Sequence, residues 1–281
     1  FFCFPFLSQA QLEASIWYFG NKAGLDFRSG TPVALLDGQL DTDEGCASIS
    51  DAAGNLKLYT DGIKVWNRNH EIMPNGTGLY GFRSSTQSAI IVPNPGDPNI
   101  YYIFTCQISL GINYSVVDMS MDGGLGDIVA KNVPLVAKST EKLTAVKHAN
   151  GTDIWVIGHG WRNARYLAYQ VTSSGVNSSA VTSDVGIDLS VGRSSDDAIG
   201  YLKASPDGTK LGVCHRNLGA ELLNFDNATG IVDNPIPLSD KDNYGLEFSP
   251  SGQVLYITVV SGGILQYDLK SPDIQASAVD I

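Results

Sequence analysis

The chain has 281 residues, 43% of them apolar and 17% charged, with 18 Lys+Arg against 29 Asp+Glu and a formal net charge of −11 at pH 7. So many apolar and so few charged residues exclude an intrinsically disordered chain, and the length allows one large or two ordinary domains with a well-buried core. An acidic surface repels phosphate backbones and anionic lipid heads, which argues against nucleic acid as a partner, and no run reaches the ~18 apolar residues that a membrane span requires.

The first ten residues, FFCFPFLSQA, are apolar and then turn small and polar. Ser8 and Ala10 are spaced like the −3 and −1 positions of a signal-peptidase site, so residues 1–10 read as a signal-peptide remnant and the folded domain is expected over 16–281. The next segment, WYFGNKAGLDFRSGTPVALLDG, holds one clear strand, PVALLDG. That strand is expected on the outside of a sheet whose inner strands come from the other end of the chain.

From about Cys46 the chain repeats one pattern five times: an apolar run, a tight polar turn, a second apolar run. The turns fall at Gly54 (ASISDAAGNLKLYT), around Pro98 (IIVPNPGDPNIYYIFT), and at Gly151 (AVKHANGTDIWVIG), Gly208 (ASPDGTKLGV) and Gly252 (FSPSGQVLYI). Their spacings of 44, 53, 57 and 44 residues, each holding several strands, mark a β-propeller, and no window shows the 3.6-residue period of a helix. In the fourth unit AIGYLKAS, KLGVCHR, ELLNFD and IVDNPIPL read as four successive strands, with the two prolines of the last tolerated only at a sheet edge. The expected fold is therefore all-β: a propeller of four-stranded antiparallel blades, with five repeats visible. A truncated ring of six to eight blades is preferred to a closed ring of five.

Cys3 lies in the leader, leaving Cys46, Cys106 and Cys214, which are odd in number, widely spaced and set in apolar runs without a CxxC. They read as buried thiols, neither a zinc site nor a disulfide framework, with one disulfide left open.

Propeller topology places the loops that enter each blade, and the turns between second and third strands, at one end. The entering loops read LDTDEG, SSTQS, KSTEK, SSDDA and SDKDN, and the turns YTDG, ISLG, GHGWRN, CHRN and VSGG. This end gathers Asp43, Glu44, Thr86, Gln87, Glu141, Asp196, Asp197, Asp242 and Asn243 beside His159, Trp161, Arg162, His215 and Arg216. The carboxylates suit a hydrolase pair or a Ca²⁺ site, yet Asp and Ser are also ordinary turn residues. His159, Trp161, Arg162, His215 and Arg216 come from equivalent loops of adjacent blades, and an aromatic face beside guanidinium groups suits an acidic sugar. The candidate ligand-binding set is these five with Asp196, Asp197, Asp242 and Asn243. No HExxH, GxSxG, Walker A or EF-hand pattern occurs, so no catalytic residue, metal or cofactor is assigned.

The segments WYFGNKAGLDF, EGCASISDAAGNLKLYTDGIKVWNRNHEIMPNG and STQSAIIVPNPGDPNIYYIFT resemble the N-terminal propeller of large secreted Bacteroidota proteins that end in a gliding-motility-associated, type IX secretion sorting domain. The resemblance implies export, attachment to the cell surface or release, and adhesive or carbohydrate-related roles, with partners in the secretion machinery. No sorting domain is present in these residues, and the family offers no catalytic residues to carry over.

The function expected is a secreted or cell-surface binding and adhesion module, not an enzyme, recognising a glycan or a protein on its loop end. The alternative is a propeller enzyme, either a glycan hydrolase or lyase or a metal-dependent lactonase. Propellers host both, so fold alone does not choose.

Overall fold

Short apolar runs broken by Gly- and Asn-centred turns give this chain no route to long helices, and it folds into six antiparallel sheets. The computed structural model describes residues 12–192 and 194–281; the expected leader remnant therefore lies outside the described residues. Blade one holds β1 (Ile16–Phe19), β2 (Ala23–Asp26) and β3 (Val33–Leu35). Blade two holds β4 (Ala47–Ser50), β5 (Leu56–Thr60), β6 (Lys64–Asn67) and β7 (Ile72–Thr77), and blade three β8 (Ala89–Asn94), β9 (Asp97–Gln107), β10 (Gly111–Asp118) and β11 (Asp127–Val136). In blade four β12 (Ser139–Lys147), β13 (Ile154–Gly160) and β14 (Arg165–Thr172) are followed by β15 (Gly175–Val176) and β16 (Val181–Asp184), which both pair with β14. Blade five is β17 (Leu202–Ala204), β18 (Lys210–His215), β19 (Gly219–Asp226) and β20 (Ile231–Ser239), and blade six β21 (Asn243–Phe248), β22 (Val254–Val259), β23 (Ile264–Asp268) and β24 (Val279–Asp280).

The propeller is as expected, and the turns at Gly54, Gly151, Gly208 and Gly252 each join the first two strands of a blade. Two expectations are corrected. There are six blades of three to five strands, not five of four. The segment before Cys46 supplies β1 and β2 as well as β3, so its outer strand has inner partners from the same stretch of chain and not from the far end.

Blade one is nonetheless incomplete. Lys22 N–H donates to Leu40 O and Thr42 N–H to Gly20 O, while the Cys46 thiol and Ser48 hydroxyl of β4 reach Tyr18 O and Ile16 O. These contacts run β1 antiparallel to β4, the innermost strand of blade two. The three strands of blade one thus have the directions of second, third and fourth strands, and among the described residues no innermost strand accompanies them.

Five hydrophobic cores fill the spaces between successive blades. Ile16, Tyr18, Leu40, Tyr59 and Trp66 join blades one and two, and four further cores continue the series to Leu255, Ile257 and Tyr267 between blades five and six. Each fully buried Leu, Ile, Val or Phe in these layers contributes about 1.5–3 kcal/mol relative to its exposed state. Between blade six and blade one no such core forms among the described residues. The free face of blade one carries Trp17 and Phe19, 48% and 38% exposed, with Trp17 packed on Phe27 at 4.7 Å.

Candidate functional site

The loops entering blades two to six and the turns between second and third strands share one end of the propeller, as expected. The Pro206–Gly208 turn lies at the opposite end, where it shares a depression with Lys147, His148 and Asn227.

Seven of the nine candidate residues fall into three groups. His159, near the end of β13, and His215, the last residue of β18, are both fully buried, with ring centroids 5.4 Å apart in an edge-to-face arrangement. They lie beneath the surface of the loop end and form no part of it. Trp161 and Arg162 occupy the β13–β14 turn above them, and Arg162 stacks on Trp161 at 5.2 Å. Arg216 is half-buried and stands 3.9 Å from an Asp196 oxygen and 3.7 Å from an Asp242 oxygen.

Two of the remaining candidates hold up the local backbone. Asp197 is buried and accepts from Ser194 N–H at 3.0 Å and from the Asn217 amide at 2.8 Å, closing the turn before β17. Asn243 is fully buried and donates to Thr258 O at 3.3 Å, while its Oδ1 has no donor. Thr86 binds the Glu141 carboxylate through its N–H at 3.0 Å and its hydroxyl at 3.2 Å. Gln87 ties three blades together: its Oε1 accepts from Leu202 N–H at 2.8 Å and Leu143 N–H at 3.3 Å, and its Nε2 donates to Leu202 O at 3.1 Å. Asp43 is paired with the exposed Arg83 at 2.7 Å.

The histidines belong to a buried polar layer that sequence reasoning did not assemble. The Tyr166 hydroxyl donates to Glu221 Oε1 at 2.8 Å, and Ile187 N–H donates to Glu221 Oε2 at 3.0 Å. His215 Nε2 stands 3.5 Å from Glu221 Oε1 without a hydrogen bond, and His159 Nε2 also lacks a partner. Lys142 is fully buried, and its Nζ donates to Ala198 O at 2.6 Å and Ile199 O at 2.9 Å. Burial, then the neighbouring His215 and Lys142, lowers the His159 pKa to about 3, and burial takes His215 well below the ordinary imidazole value. Burial likewise lowers Lys142 to about 7 and raises both Glu141 and Glu221. The signal for this layer was present in the sequence as charged residues inside strands, Glu141 and Lys142 in STEKLTAV and Glu221 in ELLNFD.

Above the layer the loop end is open and partly apolar. Phe82, Leu110, Val191 and Val260 are 52%, 41%, 70% and 46% exposed, and each comes from a different loop of this end. A depression of about 250 Å³ lies beside Phe82, lined also by Gln107, Ile108, Ser109 and Glu141. Among the described residues no three His, Cys, Asp or Glu side chains stand close enough to share a metal ion, and Cys46, Cys106 and Cys214 are free thiols.

No protein-family model matches the chain, and no curated protein matches it. Solved structures do. A candidate 6-phosphogluconolactonase from Bacteroides uniformis is 13% identical with a TM-score of 0.52, over 92% of this chain and 76% of that one. The β-propeller domain of Cps50 (Swd1) from Myceliophthora thermophila is 10% identical with a TM-score of 0.52, over 97% and 86%. Hsv2 from Kluyveromyces lactis is 7% identical with a TM-score of 0.51, over 95% and 75%. At such identities the likeness speaks for the fold alone, and what it establishes is that the chain is a β-propeller.

Proposed function

We propose that this protein is a non-catalytic binding module that receives a protein ligand on the loop end of its propeller. The observation that carries this reading is that Phe82, Leu110, Val191 and Val260, on four separate loops, are all exposed at one end. Single exposed hydrophobes are normal on any surface, and four on the loops of one propeller end make that end the place to look for an interaction. Trp161 and Arg162, in the β13–β14 turn of the same end, are residue types that dominate binding energy when a partner desolvates them. The groups suited to chemistry, His159, His215, Lys142 and Glu221, are sealed below this surface. The same reading places the module outside the cell, secreted or surface-attached, as the resemblance to exported propellers implies.

An acidic glycan is the second reading, and the Trp161–Arg162 stack favours it, because an aromatic face and a guanidinium are together what a uronic sugar needs. The test compares wild type with a Phe82→Ser, Leu110→Ser, Trp161→Ala variant, immobilised against extracellular proteins of the source culture and against a glycan array. A defined protein retained by wild type and lost by the variant supports the reading, provided the variant unfolds at the same urea concentration. Retention of a glycan alone moves the assignment to the second reading. Turnover of a polysaccharide or lactone overturns the non-catalytic part.

A further inference from the structure

Between the β4–β5 and β8–β9 hairpins, at the end of the propeller opposite the loop end, lies a cavity of about 480 Å³. That size falls within the ~300–1,000 Å³ of small-molecule sites, which are mostly apolar with a few placed polar groups. Its apolar wall is Ile49, Pro93, Pro95, Pro98 and the Tyr101 ring. The wall is preformed. Asn94 Oδ1 accepts from Gly96 N–H at 2.7 Å, its amide donates to the Tyr102 hydroxyl at 2.9 Å, and Asp97 accepts from Asn99 N–H at 2.9 Å, which fixes the hairpin that carries the three prolines. On the blade-two side Asp51 Oδ1 accepts from Ala53 N–H at 3.0 Å and Asn55 N–H at 2.9 Å, closing the β4–β5 turn. A ligand would have little left to order here.

Tyr101 supplies the polar group. It is 7% exposed, and its hydroxyl makes no hydrogen bond among the described residues, whereas the neighbouring Tyr102 hydroxyl is satisfied by Asn94. The unpartnered hydroxyl of Ser50, also in this wall, is sealed from solvent; that of Tyr101 is not. Burial raises the Tyr101 phenol, and the charges of Asp51 and Glu13, two more residues of the wall, raise it further. A field of this sign turns the rotatable O–H toward the carboxylates and leaves the oxygen lone pairs for a donor. A charged ligand is not called for, because Lys57 already stands 3.8 Å from Asp51 and an apolar wall penalises charge. Proline rings pack their polarised C–H bonds on the negative face of an aromatic ring, so a rigid wall of this kind suits a flat ligand.

We infer that this cavity is a binding site for a small neutral heteroaromatic ligand of about indole size, which donates one N–H or O–H to the Tyr101 hydroxyl. The site lies away from the loop-end surface, so its failure leaves the proposed function untouched.

The test titrates wild type with indole and with benzofuran, the isostere that lacks the N–H, following the backbone amide resonances of Ile49, Gly96 and Tyr101 by NMR. Indole is expected to bind about three- to tenfold more tightly than benzofuran, the worth of one neutral hydrogen bond. Tyr101→Phe, which removes the hydroxyl alone, is expected to bind the two equally. Equal binding by wild type overturns the proposal without reference to any variant, and so do three amides left unmoved at millimolar indole. An indole preference that survives in Tyr101→Phe overturns it as well. Tryptamine, protonated at neutral pH, should bind no more tightly than indole, and tighter binding would overturn the neutral class.

Discussion

Replacing Lys142 by Met should change the pH dependence of stability by an amount that follows from the structure. Lys142 Nζ is fully buried against the carbonyls of Ala198 and Ile199, and burial holds it at about 7 against the ordinary 10.5. Between pH 6 and pH 8 the unfolded chain keeps this proton while the folded chain loses it. The unfolded state therefore binds more protons over this window, and stability rises with pH. Integrating the difference across the two units gives about 1.4 kcal/mol gained by wild type from this one lysine. Methionine fills the volume without a proton to lose, but it leaves two carbonyls without a donor, a loss of about 2–4 kcal/mol at pH 8. The loss should be smaller at pH 6 by about the same 1.4 kcal/mol.

Other groups titrate nearby. His159 and His215 add stability as pH rises, while Glu141, Glu221 and the raised thiols of Cys46, Cys106 and Cys214 oppose it. All are present in both proteins, and burial, the largest cause of each shift, is unchanged by the substitution, so subtracting the variant removes most of their contribution. Urea unfolding followed by tryptophan fluorescence at pH 6 and pH 8, for both proteins, gives the four numbers needed. A wild-type minus variant difference that is the same at both pH values, or larger at pH 6, refutes the assignment of Lys142 as a buried, proton-shedding amine.

Further outcomes follow from the same layer and its frame. Both histidines fold in the neutral form, so the unfolded state gains protons as pH falls below about 6.5, and each should lose about 1.5 kcal/mol between pH 6.5 and 5. Urea midpoints of His215→Phe should show a shallower acid slope than wild type, and an unchanged slope would contradict the burial of its ring. Gln87→Leu strands Leu143 N–H and both backbone groups of Leu202, and thermal denaturation should report a loss of about 3 kcal/mol or more. Gly208 sits at φ +70° in the β17–β18 turn, and an added Cβ would lie 2.7 Å from Val146 Cγ2, so Gly208→Ala should destabilise by about 1–2 kcal/mol in urea titration without altering the turns of other blades.

The repeat was legible because its turns are chemically explicit. Gly54, Gly151, Gly208 and Gly252 all adopt positive φ, and Pro235 and Pro237 do fall on the outer strand β20. Blade one was not legible, for a physical reason. Its strands β1 and β2 are only four residues long, and Ile16 and Tyr18 alternate with Trp17 and Phe19, which are also apolar, so no polar face announces a strand. Their turn carries Lys22 at φ +59°, a residue that does not advertise a left-handed conformation.

The loop end was legible as a gathering place because topology fixes it. Depth was not. GHGWRN reads as a turn and CHRN as both the end of the strand KLGVCHR and its turn, but β13 runs through His159 and β18 through His215, which carries both rings into the space between blades. A histidine directly following an apolar run, as in VIGH and VCH, is the cue for that burial. Glu221, the partner of Tyr166, went unassembled because pairing across 55 residues of chain leaves no local trace.

Among the described residues, six sheets joined by five cores have the thermodynamics of a row, not of a circle. In a row each internal blade is buttressed on two sides and each terminal blade on one, so stability is a sum of nearest-neighbour couplings with two weak ends. Opening then begins at blade one or blade six and advances inward. Blades three and four, braced on both sides and pinned through Gln87 and Lys142, are the last to go. A pulling force applied at the termini would peel the molecule one sheet at a time, and its proximal faces would be exposed to solvent long before the buried histidine layer is disturbed.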